Sequence, residues 1–422
     1  MNFFCRTLLG SVLLGVGWCS EAAGLLEVNP PKAPKEISTI ALVGARLIDG
    51  RGGKPVANAS VVVRGNKILA AGASVPIPPG ARKIDVSGLS ILPGLFDSHF
   101  HSVNDLKKPV DYLLSRGVTT LRDPGHPFRF YQAVMQTDLA MPRVFLCGAH
   151  LDTHPAVWPR QAVLVKDAEH ARWTVINHVR RGASAIKIYF RLPLKYHETV
   201  CRTAAEQGVL VDATDAIKAG VRGIEHVTSF GTSLAAPNDA EAFRRRVRAD
   251  PNTRKKLRHE LWARIDLESP LVQRVVELIV KKGVFVSPTL GIFEKRIGSP
   301  GNAERDVRAF GNMLKFVQLC HEAGAKIVVG SHTHHPFAKR GAAYQHEMEL
   351  LLKCGMTPLE VLTAATIRNA EFFGTEERLG SIEVGKVADL VLVEGDPSRD
   401  IREMNRVKHV MLNGNWIGKS PF

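Results

Sequence analysis

Cysteine is scarce in this chain of 422 residues, with six in all and none in a Cys-x-x-Cys pair. The two earliest, Cys5 and Cys19, lie in the first twenty residues, and Cys147, Cys201, Cys320 and Cys354 are far apart. That spacing excludes a zinc knuckle and gives no disulfide framework, so four buried free thiols are expected. Aromatic residues make up only 7%. None interleave with the basic stretch Arg244–Arg246 through Lys255–Arg258. A nucleic-acid surface needs readout elements beside its charge, so that stretch reads as a solvated helix or loop face despite the net charge of +15. No apolar run is long enough to span a bilayer as a permanent helix, and no repeat or low-complexity segment is visible.

What is present is an ordinary globular composition, 45% hydrophobic and 23% charged, enough for one large domain and a smaller one. Arg6, the apolar stretch Leu8 to Trp18 and the small-x-small Ser20-Glu21-Ala22 have the pattern of a secretory signal over residues 1–22. Periplasmic or secreted localisation is the corresponding expectation. Short β-type runs between Gly- and Asn-rich turns occupy residues 37–90, and the same texture returns over 384–422 with an Asn413-Gly414 turn. These two ends predict one small β-sandwich.

Between them, residues 91–383 alternate apolar runs with helical patterns. The strands expected are Ile91–Phe96, Thr119–Arg122, Arg143–Cys147, Ala185–Tyr189, Val209–Val211, Gly223–Glu225, Val284–Val286 and Lys326–Val329. Eight β-then-α units predict an α/β fold, a (β/α)8 TIM barrel.

Catalytic groups of such a barrel belong where its strands end. Strand one runs into His99-Phe100-His101, and alternation puts both imidazoles on one face, half of a tetrahedral zinc site. Strand four carries Lys187 between isoleucines, a cation that needs a partner if buried. Strand six ends in Glu225-His226, and strand eight runs into Gly330-Ser331-His332. Beyond strands three and four, His150, His154, Trp158 and Tyr189 are candidate pocket residues, with His150 and Tyr189 as substrate contacts.

The run Leu92 to His101 resembles the Pro-Gly-x-x-Asp-x-His-x-His signature of the amidohydrolase superfamily. Gly117 to Asp123 is similar to its second strand, and Leu379 to Leu390 to its return into the sandwich. The resemblance implies a hydrolase that cleaves a C–N bond in an amide, peptide or cyclic amide with one or two divalent metals. Zn2+ is the expected ion. His99, His101 and His226 would be ligands, and Lys187, carboxylated, would bridge. The partner would be a small amide or peptide, with no nucleic acid and no membrane span; a homo-oligomer is compatible with this.

The chain departs from the family pattern twice. Strand eight ends in His332 where an aspartate is usual, leaving His332 as a ligand, a catalytic base or a polar rim residue. Strand five, at Asp212, has no histidine, and only the nine residues Ala213–Val221 separate it from Arg222. Parallel crossovers generally need about a dozen residues, so that unit is expected to be truncated, with Asp212 a substitute oxygen ligand and Asp215 a substitute or a helix cap. The rival expectation is a relative that binds metal or a small molecule without turnover.

Overall fold

The computed structural model describes residues 27–101, 104–134, 137–189, 191–207, 210–212 and 217–418. The expected export signal and Asp215 lie outside them. Two sets of parallel strands carry the middle of the chain. Leu95–Asp97, Val118–Asp123 and Arg143–Leu146 form one, edged by the antiparallel pair Glu27–Val28. Ala185–Lys187, Leu210–Asp212, Gly223–Glu225, Phe285–Ser287 and Lys326–Ile327 form the other, in that order. Among the described residues these are separate sheets. Hydrogen bonds from Ser184 N to Leu146 O (2.8 Å) and from Ser98 N to Val329 O (3.0 Å) run between them.

Strand five is not lost. Asp212 pairs with both Lys187 and Gly223, so a short connection joins neighbouring parallel strands with only a 3-10 turn at Ile217–Ala219 in its described part. The expected strand Ile91–Phe96 is two strands. Leu89–Pro93 joins the terminal sheet and Leu95–Asp97 the parallel set. The division falls at Gly94, where a Cβ would sit 2.0 Å from Thr119 Oγ1. Only glycine allows the backbone that close.

Both ends of the chain build one eight-stranded, mostly antiparallel sheet. Residues 39–93 supply five of its strands and residues 390–416 three. Ile40, Leu42, Val61, Val63, Leu390 and Leu392 are among its buried residues, which form a core of their own. Helices cover the parallel strands with amphipathic faces. In Pro270–Lys281, Ser269 caps the first turn by accepting from Val272 N, and Val272, Val276 and Ile279 are buried at helical spacing. Phe96, Phe145 and Phe285, one from each of three parallel strands, meet Phe372 and Phe373 of the helix Ile367–Phe373. The expected thiols Cys147, Cys201, Cys320 and Cys354 are free and buried.

A buried ion pair ties the two parts together. Arg143 contacts Asp389, both nearly inaccessible, and Asp389 also accepts from Asn413 N at 2.7 Å. Burial raises the Asp389 carboxyl, and Arg143 only partly offsets that. Removing one partner strands a buried charge, which costs about 3–5 kcal/mol. Arg143→Ala should lose about that much in urea unfolding, and Arg143→Met with Asp389→Leu should lose markedly less.

Candidate active site

The geometry is assembled where strands one and eight end side by side. Asp97 is the clip, with its carboxylate accepting from His99 N (3.1 Å), Ser331 N (2.8 Å) and Ser331 Oγ (2.5 Å). His332 N donates to His99 O at 2.7 Å, and His101 N donates to Thr333 Oγ1 at 2.7 Å. Gly330 makes the approach feasible, since a Cβ there would stand 2.6 Å from Ser98 Oγ and 3.0 Å from His99 Cβ. Burial pushes Asp97 up to about 6.

Backbone strain marks the same place. Seven non-glycine residues have positive φ among the described residues. Three are asparagines, which tolerate it; the other four are His226 (66°), Thr289 (46°), His332 (52°) and Thr333 (70°). Such conformations cost about 1–3 kcal/mol each and persist where surrounding structure enforces them. All four sit just past the ends of strands six, seven and eight.

Three histidines converge. His99, His101 and His332 each bring a ring nitrogen within 4.8 Å of the others. His99 Nε2 and His101 Nε2 are 2.8 Å apart. The Nδ1 atoms of these two face side-chain oxygens, here of carboxylates. His101 Nδ1 lies 3.3 Å from Asp123 Oδ1, and His99 Nδ1 contacts Glu225 Oε2. His226, whose ring centroid is 4.4 Å from that of His99, follows the same rule, with Nδ1 2.7 Å from Thr289 Oγ1. Assigning each Nδ1 as the donor gives one consistent set of tautomers, with the Nε2 lone pairs left for a ligand.

The electrostatics agree. Burial, with the other cationic or histidine side chains around them, holds His99, His226 and His332 well below the ordinary histidine range. All three are neutral at pH 7, the state a metal ligand requires. Burial alone would raise Asp123, but hydrogen bonds from His101 and His126 bring it far below the usual carboxylate range. Asp123 also holds His126 Nδ1 at 2.6 Å and takes a hydrogen bond from the Tyr131 hydroxyl.

Of the residues singled out in the sequence, the structure groups His99 and His101 with His332 and leaves Lys187 and His226 beside that trio. Lys187 is buried and donates to Glu225 Oε2 at 3.3 Å. It shares with His226 and Tyr189 the wall of a cavity of about 600 Å³. His150 is buried against the Tyr189 ring, with centroids 4.6 Å apart, and burial pushes it down to about 4. His154 lines the cavity, whereas Trp158 is exposed and does not. The side chain of Asp212 lies outside the description.

The sequence reading passed over Glu225, Asp123 and Thr289. Glu225 is fully buried, touching His99 and Lys187, with Arg122 NH2 3.6 Å from its other oxygen. The argument that singled out Lys187, a charge on a strand buried on both faces, applies equally to Glu225. Asp123 closes strand two as His99 closes strand one. The basic stretch is largely a solvated helix face, as expected, with Arg244–Arg246, Arg248, Lys255 and Lys256 exposed; in addition Arg244, Arg248, Arg254 and Arg258 line the cavity.

Behind the site, Glu347 accepts from Leu290 N (2.7 Å) and Gly291 N (2.8 Å), fixing the turn that carries Thr289. Burial raises it to about 8. With a folded value above its unfolded one, Glu347 holds a proton that the unfolded chain releases from about pH 4.5 upward. Its contribution is complete below that pH and is lost as pH rises towards 8. The Glu347 contribution should therefore fall across pH 5–8, against the opposite trend of the buried neutral histidines. The stability of Glu347→Gln relative to wild type should rise over that range in urea midpoints measured at several pH values.

A family model described as the amidohydrolase family matches residues 90–417. An N-acyl-D-aspartate deacylase from Alcaligenes xylosoxydans xylosoxydans is 40% identical over 91 residues, 21% of this chain and 18% of that protein. An imidazolonepropionase from Brevibacillus brevis is 42% identical over 69 residues, 16% of each. The chain thus spans under a fifth of the length of these curated relatives. A crystal structure of a prolidase complexed with N-methylphosphonate-L-proline matches with a TM-score of 0.68 and 22% identity, over 91% of this chain and all of that one. At that identity the likeness shows a shared α/β fold.

Proposed function

Because the chain belongs to the amidohydrolase family, we propose that it hydrolyses a C–N bond in a small amide, peptide or cyclic amide, with a divalent metal held by His99, His101 and His332. The observation that carries this reading is the shared orientation of the imidazoles, each Nδ1 of His99 and His101 facing a carboxylate while the Nε2 atoms face one another. Zinc–imidazole bonds of about 2.1 Å in a tetrahedron put donor nitrogens roughly 3.4 Å apart. The distances here, from 2.8 Å between two nitrogens to an upper bound of 4.8 Å for the three, bracket that value. Three imidazoles with one open position are the donor set of a catalytic zinc site.

When bound, the metal would lower the pKa of a water and polarise the scissile carbonyl. Asp123 and Glu225 hold the two histidines of strand one in the donor-ready tautomer. His226, neutral and on the cavity wall, would accept a proton from the attacking water and return it to the nitrogen of the leaving amine. A second metal, implied by the resemblance, would draw on His226 and a carboxylated Lys187, which requires Lys187 to leave Glu225. One metal needs no such change and is the reading adopted.

The same proposal closes the two parallel sets into the (β/α)8 barrel over residues 91–383. The terminal segments 37–90 and 384–422 pack as its β-sandwich, and residues 1–22 direct export and are then removed. Mass spectrometry of exported protein tests the last point, since a chain still starting at Met1 would defeat it. For the activity, purified protein is stripped with a chelator and assayed before and after zinc on N-acyl amino acids, dipeptides and cyclic amides. Cleavage lost on stripping and restored by zinc supports the proposal. Metal retained with no amide cleaved in the whole panel would make the chain a binding relative without turnover.

A further inference from the structure

The described lining of the cavity beside His226 carries charge of one sign. Lys187, Arg191, Arg244, Arg248, Arg254 and Arg258 all line it, and no acidic side chain does among the described residues. Two helices deliver four of these cations at i, i+4 spacing. Arg244 and Arg248 lie on Pro237–Ala249, and Arg254 and Arg258 on Arg254–Trp262. That spacing puts each pair on one helix face. Among the described residues, carboxylates approach from outside the wall: Glu225 at Lys187, Glu241 at Arg244 (3.8 Å) and Arg248 (3.6 Å), and Asp152 near Arg191.

Arg254 and Arg258 are half-buried, whereas Arg244 and Arg248 are exposed; Arg258 is seated on an aromatic ring of the site. Its guanidinium lies 4.5 Å over the Phe293 ring, which is in turn 5.8 Å from the His226 ring. Its Nε is buried without a hydrogen-bond partner among the described residues. Burial and the neighbouring Arg254 push its pKa down to about 10. Among the described residues no carboxylate is paired with the Arg258 guanidinium. Phe243, Val247 and Leu192 add an apolar strip to the same wall. At about 600 Å³ the space suits a small molecule rather than a polymer.

We propose that this cavity receives a doubly negative end of the amide substrate, a dicarboxylate or a phosphate, with Arg254 and Arg258 as the inner binding pair and Arg244 and Arg248 at the rim. Guanidinium forks match both oxyanions in geometry. The site's identity as a substrate site rests on the hydrolase reading, whereas its anion preference rests on the arginines alone.

The test is calorimetric titration of the purified protein, as isolated and after chelation, with glutarate, inorganic phosphate, acetate and neutral glutaramide. Glutarate or phosphate should bind at least tenfold tighter than acetate, before and after chelation, and whichever is tighter identifies the oxyanion. Arg258→Gln and Arg254→Gln should each weaken that binding at least tenfold with unchanged melting temperature. Arg258→Lys should recover part of it, and Arg245→Gln, on the exposed side of the helix, should leave it unaltered. Should Arg258→Gln fail to fold, Arg254→Gln reads the same pair. Equal affinity for glutarate and glutaramide, or unchanged affinity in the folded arginine variants, overturns the proposal. Arginine-dependent anion binding without cleavage of any amide would leave this inference standing and remove the hydrolase reading. Cleavage of neutral amides without a dianion preference would do the reverse.

Discussion

His101→Ala is expected to abolish stable metal retention and amide cleavage together while leaving the fold intact. The ring supplies one of three imidazole donors, and no spare histidine nitrogen joins the trio of His99, His101 and His332 among the described residues. It is also the least buried member of strand one's pair, with 28% of its side chain exposed, so its removal leaves little cavity. Its partner Asp123 keeps His126, Tyr131 and two backbone N–H donors, from Gly125 and His126. Zinc affinity should fall by a factor of 100 or more, measured by competition with a chromophoric chelator, while the urea midpoint shifts by less than about 1 kcal/mol, as for a substitution that breaks no buried network. Loss of stability with unchanged affinity would reassign His101 to a structural role.

Glu225→Gln should act on both readouts. The carboxylate touches His99 Nδ1 and Lys187 Nζ and faces Arg122, whose guanidinium is fully buried over the Phe372 ring at 4.1 Å. Neutralising it removes the charge that the buried side chains of Lys187 and Arg122 contact, a loss of about 3–5 kcal/mol. It also releases the tautomer of His99, and removing such a supporting carboxylate typically weakens metal affinity about 10- to 100-fold. Urea unfolding and zinc competition on the same preparation separate the two effects. If stability falls and affinity does not, Glu225 serves the core alone.

Much of the site was legible in the sequence because barrel-type strands end where chemistry happens. His99, His101, Lys187, His226 and His332 were all singled out by that rule, and the structure brings them within one cluster or against its cavity wall. The rule is silent about partners that act across strands. Glu225 and Asp123 orient histidines of strand one from strands six and two, and the pairing that joins them is a matter of register. Arg244, Arg248, Arg254 and Arg258 had readable helical spacing, but which face of a helix meets a cavity depends on how the helices pack, so their place on its wall was not legible although the solvated face was. Gly94 divides a continuous apolar run into two strands for a steric reason, the nearness of Thr119, which no periodicity contains. Strand five pairs on both sides in spite of a connection shorter than parallel crossovers usually take.

The central claim is a single metal site completed by His332 in place of the family's usual aspartate. Zinc titration of metal-free wild type, His332→Ala and His332→Asp tests it most directly. One tight equivalent in the wild type, weakened at least 100-fold in His332→Ala and largely kept in His332→Asp, is the predicted result. Two sites of equal affinity, or a tight site that His332→Ala leaves untouched, would contradict it.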